Sequence, residues 1–212
     1  MDIEDFTDDV REDANTELSR LGSSKSLYAD TGGEMDEAHV RAALANWFAG
    51  AADVFETWVD DSAAAQRDLF ESVAELSAEQ AAAIADDADY EDADHPAIVT
   101  ALQHLETPEE RVGGFLGWSL VTAAKTSQAV GFFVGQADPQ AADELRTVDD
   151  DVDANVSRAR EVLARVVEPE AGEDPDDALA RAHEAAVDVI EAAYDEYVEE
   201  LEAQGVNPKP VC

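Results

Sequence analysis

The stretch Val112-GGFLGWSLVTAAKTSQAVGFF-Val134 decides the fold. Over its 23 residues the only charge is Lys125, and Phe115, Trp118, Phe132 and Phe133 stand among its apolar positions. That length can cross a bilayer. Against a membrane span stand Lys125 and Gln128 near the middle, four glycines and several hydroxyls. A lysine at the centre of lipid costs about 2.5–3.5 kcal/mol on the insertion scale. An apolar pattern all round also describes a helix enclosed by other helices. The segment is therefore read as the central helix of a bundle, with no membrane insertion.

The flanks carry helical periods on both sides. Ile3, Phe6, Val10, Ala14, Leu18 and Leu21 make one stripe of a first helix, loosened at Gly22-Ser23-Ser24 and closed by Thr31-Gly32-Gly33. Asp36 caps a second helix whose face is Val40, Leu44, Trp47, Ala51, Val54 and Trp58, widened by Phe48 and Phe55. A third follows Asp60-Asp61 with Leu69, Phe70, Val73 and Leu76. Ser77 and Gln80 stand at capping-box spacing, where this helix is expected to restart or bend. The Asp-rich run 86–94 lacks a period and reads as a surface loop.

Proline marks four further starts. His95-Pro96, Thr107-Pro108, Asp138-Pro139 and Asp174-Pro175 each suit Pro at the first helical position, where its missing N–H costs nothing. Leu145, Val148, Val152, Val156, Leu163 and Val166 form the seam after Asp138. Leu179, Ala186, Ile190, Tyr194, Tyr197 and Leu201 form the last one. No segment alternates long enough to build a sheet, so the fold class is all-α. The expected organisation is a helical bundle over 1–167, an acidic linker 168–177, a C-terminal helix 178–204 packed outside, and an extended tail 205–212.

Charge narrows the setting. The 212 residues hold 51 Asp+Glu against 13 Lys+Arg, a net charge of −38, yet 45% are hydrophobic, enough for a core. Such a surface repels phosphate, which excludes direct binding of nucleic acid or anionic lipid. Only three lysines occur, Lys25, Lys125 and Lys209. At molar salt the Debye length is about 3 Å, so self-repulsion is screened while the carboxylates stay hydrated. The composition reads as that of a haloarchaeal cytoplasmic protein in potassium-rich solvent. The opening MDIEDF has neither a basic nor an apolar region, so no secretory signal is expected. The one cysteine, Cys212, leaves no intrachain disulfide or thiolate cluster and forms no prenylation box.

A carboxylate-rich bundle raises the question of a di-iron centre, which needs Glu from two helices and Glu-x-x-His from two others. The histidines are His39, His95, His104 and His183, and Glu-x-x-His occurs nowhere. Asp36 and His39 fall in a first turn, His183 continues a packing seam, and His104 reads as a surface or capping residue. An irregular set such as Glu12, Glu56 and Glu71 is the alternative that would take iron or manganese. Gly22-Ser23-Ser24-Lys25-Ser26 lacks both the leading glycine and the preceding strand of a phosphate loop. The best polar lead is Lys125 with Gln128 one turn on. Lys125 either binds an anionic ligand or a substrate carbonyl, or pairs with a buried carboxylate such as Glu17 or Glu56. Gly113, Gly114 and Gly117 suggest a close helix approach.

Leu21-Gly22-Ser23-Ser24-Lys25-Ser26-Leu27-Tyr28, Thr31-Gly32-Gly33-Glu34-Met35, Phe55-Glu56-x-Trp58, Val130–Gly135 and Ala137-Asp138-Pro139 together resemble a group of small haloarchaeal proteins. These are related to rubrerythrin and the ferritin-like superfamily, and some are labelled transcription antitermination proteins. The resemblance spans about residues 10–165 and implies a ferritin-like up-and-down bundle. In the second and third helices, where a metal-binding member would carry Glu and His, this chain reads Trp47-Phe48-Ala49-Gly50 and Gln66-Arg67-Asp68-Leu69. The expectation is a non-catalytic member without cofactor, acting through a protein partner or self-association. The alternatives are a carboxylate-bridged metalloprotein and a transcription regulator working through a protein partner.

Overall fold

The computed structural model describes residues 2–85, 94–167 and 174–208. Among them are nine helices and no strand: α1 (Phe6–Asp13), α2 (Asn15–Leu21), α3 (Ser24–Asp30), α4 (Glu37–Asp60), α5 (Ala64–Ala85), α6 (Ala97–Gln103), α7 (Pro108–Gly135), α8 (Pro139–Val166) and α9 (Pro175–Ala203). No helix among these residues is long and apolar enough to cross a membrane.

The long helices start where local chemistry demands. Asp36 accepts the His39 N–H at 3.0 Å to cap α4. Thr107 and Glu110 form a reciprocal capping box on α7 behind Pro108. Burial works against the Glu110 carboxylate, but the N–H groups of Thr107 and Glu106 outweigh it and hold its pKa below the ordinary glutamate value. Asp138 and Asp174 cap α8 and α9, each ahead of a proline. At α6 the expectation misses by one residue. Pro96 is itself the cap residue, and the helix begins at Ala97. The Ser77–Gln80 spacing marks no break either, because α5 runs through it with both side chains buried. Tertiary burial there overrides the capping signal.

Contacts along the helices give their directions. Trp47 meets Thr122 and Arg111 lies over Trp58, so α4 and α7 are antiparallel. Gln80 reaches Asp151 and Arg158 reaches Ser72, so α5 and α8 are antiparallel as well. Rings fill the middle. Phe55 packs against Trp58, Phe70, Phe115 and Trp118 with centroids 5.1–6.5 Å apart, joining α4, α5 and α7. Such pairs contribute about 0.5–1.5 kcal/mol each beyond area burial.

α9 is a core element rather than an outer appendage. It begins at Pro175, inside the stretch expected to be linker, and buries Leu179, Ala182, Ala186, Val189, Ile190 and Leu201. It runs parallel to α7, with Gly113 against Ala182 and Gly117 against Ala186. A Cβ on Gly113 would stand 2.0 Å from the Ala182 carbonyl oxygen, and one on Gly117 2.4 Å from that of Ala186. Only glycine permits this approach. Arg181 adds an ion pair to Glu109 at the same end. Beyond α9, Val206 N–H bonds back to the Leu201 carbonyl, and the Asn207 carbonyl accepts from Lys25, so 205–208 folds back rather than extending. Residues 86–93, 168–173 and 209–212, including most of the expected loop and linker and Cys212, lie outside the described residues.

Two further expectations need correction. The N-terminal stripe is not one helix: the chain turns at Ala14 between α1 and α2, so that Phe6, Val10 and Leu21 all reach the core under α7 and α9. α7 is enclosed on every side only through Thr122. Beyond it Ser127, Gly131 and Val134 are exposed.

Candidate polar site at Lys125

Lys125 sits on α7, one turn past the enclosed stretch, with its side chain only 6% exposed. Its ammonium donates to both carboxylate oxygens of Asp30, at 2.6 and 2.7 Å, and to the Ser26 hydroxyl at 3.3 Å. All three protons are thereby used. The same nitrogen lies 4.9 Å from the Trp47 ring centroid, within cation–π range. Trp47 is itself held in place: its indole N–H donates to Thr122 at 2.9 Å, and the Thr122 hydroxyl donates to the Trp118 carbonyl.

Ser26 and Asp30 reach Lys125 because they stand four residues apart on one face of α3. α3 is a seven-residue helix entered through Gly22-Ser23 and left through Gly32 and Gly33, whose φ values are +60° and +87°. This left-handed exit turns the chain away directly behind Asp30.

Opposite α3, α9 supplies Glu196. Its Oε1 accepts the Ala97 N–H at 3.0 Å, a cap that Pro96 cannot provide for α6. Burial pushes the Glu196 pKa up; the Ala97 N–H and the Lys125 charge pull it down, the Asp30 charge pushes it up, and the net shift is upward. α4 closes the site with Asn46, whose amide donates to the Asp94 carbonyl at 2.8 Å and whose oxygen lies 3.0 Å from His95 Nδ1. Gly50 makes room for this arrangement, since a Cβ there would meet Val99 and the His95 ring at 2.8 and 2.9 Å. Between these groups lies a cavity of 220 Å³ bounded by Asp30, Asn46, Trp47, Lys125, Glu196 and Tyr197.

Of the expected polar residues, only Lys125 belongs to this cavity. Gln128 donates to the Gly22 carbonyl at 2.7 Å and so pins the end of α2. Glu17 is half-buried on α2, where its charge acts on Glu191 of α9. Glu56 is exposed on α4. The partner of Lys125 is Asp30, neither Glu17 nor Glu56, because α3 and not α2 passes its ammonium.

The alternative metal set does not assemble: Glu12, Glu56 and Glu71 are all exposed, on α1, α4 and α5. Among the described residues no three His, Cys, Asp or Glu side chains converge as metal ligands would. His39 contacts its own cap Asp36, and His104 bonds the Thr100 carbonyl. His183 packs edge-on to Phe6, 3.4 Å from Asp13. Lys25 in the loop-like Gly22–Ser26 run ties down the chain end after α9.

The unforeseen members are Ser26, Asp30, Asn46, His95 and Glu196. Ser26 and Asp30 carried one legible signal, their spacing of four ahead of Gly32-Gly33. Glu196 carried none, being one acidic residue among 51. No family model, no curated protein and no solved structure matches this chain.

Proposed function

We infer that this chain is a non-catalytic helical bundle of the ferritin-like kind that acts through protein contacts in the cytoplasm of a salt-adapted archaeon. The observation that carries the reading is the ring cluster. Phe55, Phe70, Phe115 and Trp118 occupy the space between α4, α5 and α7 where a bundle metalloprotein places its carboxylates and imidazoles. A centre filled with rings has no room for a hydrated cation, and its apolar walls oppose one. The net charge of −38 supports the molar-salt setting. The end of α7 supports a contact role, because Val134 is 54% exposed beside the half-buried Phe132 on a helix whose first half is given to the core.

Oxygen consumption with added ferrous iron, measured on protein purified in molar KCl, tests this reading. Oxidation no faster than the buffer blank is expected. Turnover that scales with protein concentration would return the chain to the carboxylate-bridged metalloproteins.

A further inference from the structure

Lys125 is enclosed more deeply than a surface ion pair requires, and its partner is placed unusually. Asp30 is the last residue of a seven-residue helix, followed closely by two left-handed glycines, and its side chain is 24% exposed beside the cavity. The cation is therefore fixed in the core while the anion sits at the end of a short helix, next to the turn at Gly32 and Gly33. A cavity of 220 Å³ adjoins the pair, and across it Glu196 offers a second carboxylate. Only its Oε1 is engaged, by Ala97; among the described residues no hydrogen bond is made to Oε2.

We propose that the Lys125 cavity binds a small amino-carboxylate, whose carboxylate takes the place of Asp30 on Lys125 while its ammonium meets Glu196, Asp30 being the internal occupant of that site. With Asp30 displaced, Lys125 and Glu196 leave one positive and one negative charge facing each other, which a zwitterion neutralises without net charge transfer into the interior. The cavity is smaller than the usual drug-sized pocket of about 300–1,000 Å³, which limits the ligand to a few heavy atoms. A tethered carboxylate competes at an effective concentration of roughly millimolar or above, so removing Asp30 exposes the site's intrinsic affinity.

Glycine, β-alanine and acetate are the probes, titrated as potassium salts or zwitterions at constant ionic strength and followed by tryptophan fluorescence and thermal melting. Saturable acetate binding is expected in Asp30→Ala, with a midpoint at least about tenfold lower than in the unsubstituted chain. The double variant Asp30→Ala/Lys125→Met removes the cation, so any acetate response it retains is a general salt effect. Equal responses in the single and double variants would overturn the proposal. In the unsubstituted chain glycine or β-alanine should bind more tightly than acetate, and Glu196→Gln should abolish that advantage, weakening the amino-carboxylates while acetate, freed of the facing carboxylate, binds at least as well as before. If Asp30→Ala does not fold, this second comparison decides alone: no preference for the amino-carboxylates over acetate refutes the assignment.

Discussion

Breaking the Lys125–Asp30 pair from its two ends should have unequal consequences, because the two charges are unequally buried. Asp30→Ala strands an ammonium that is 6% exposed, leaving it the Ser26 hydroxyl, the Trp47 face and the Glu196 charge across the cavity, with no direct ion pair. An orphaned buried charge costs about 3–5 kcal/mol. Lys125→Met instead strands a carboxylate whose side chain is 24% exposed and open to water. Methionine refills most of the lysine stem, so the loss there is chiefly the cation–π contact and the hydrogen bonds, about 1–2 kcal/mol. The double variant leaves no orphan and should fall near the milder single variant, which corresponds to a coupling as large as the cost of Asp30→Ala, about 3–5 kcal/mol. For a chain of this length each kcal/mol moves the melting point by roughly 2–4 °C, so Asp30→Ala should melt roughly 6–20 °C lower. Urea unfolding of the four proteins in molar KCl measures the cycle. Equal costs at the two ends, or a double variant worse than both, would mean that the ammonium is not enclosed as described.

Four more outcomes are expected. Gly113→Ala should destabilise by about 2 kcal/mol or more in urea melts, because its Cβ meets the Ala182 carbonyl at 2.0 Å and the overpacking outweighs a helix-propensity gain of about 1 kcal/mol. Gly131→Ala on the same helix meets nothing within 4 Å and should stabilise by up to about 1 kcal/mol, so a loss there would contradict the exposed second half of α7. Ala137, at φ +61° between α7 and α8, should gain up to about 1 kcal/mol on conversion to glycine, and a lower melting point would refute the left-handed turn. Glu196 binds its proton more tightly folded than unfolded, so its contribution to stability falls as pH rises from the ordinary glutamate value of 4.5 through its raised folded pKa. Glu196→Gln keeps the Ala97 acceptor and removes this loss. Its stability relative to the unsubstituted chain should improve from pH 4 to pH 7, and a flat difference would contradict the burial.

The long helices were legible because each sums many weak signals. α4, α7, α8 and α9 carry sustained apolar faces, and Asp36, Thr107, Asp138 and Asp174 each stand at a start that local hydrogen bonding makes unique. The close approach at Gly113 and Gly117 was legible as well, since small residues four apart suit little else on a buried face. What escaped depends on tertiary placement. The break at Ala14 carries neither Gly nor Pro and follows from packing on α9. Ser77 and Gln80 have the chemistry of a cap, yet neighbouring helices bury both. Lys125 announced itself as a lone charge in an apolar run, so the need for a carboxylate was readable. Which carboxylate was not, because the placement of α3 against α7 and α9 is set by the Gln128–Gly22 and Lys25–Asn207 hydrogen bonds, and no helix period encodes it.

The claim that rings occupy the place of a metal centre is tested most directly by elemental analysis of the chain purified in molar KCl without chelator. The account predicts iron and manganese well below one ion per chain, unchanged when Glu12, Glu56 or Glu71 is replaced by Gln. One or more tightly held ions per chain, lost on any of those replacements, would contradict it.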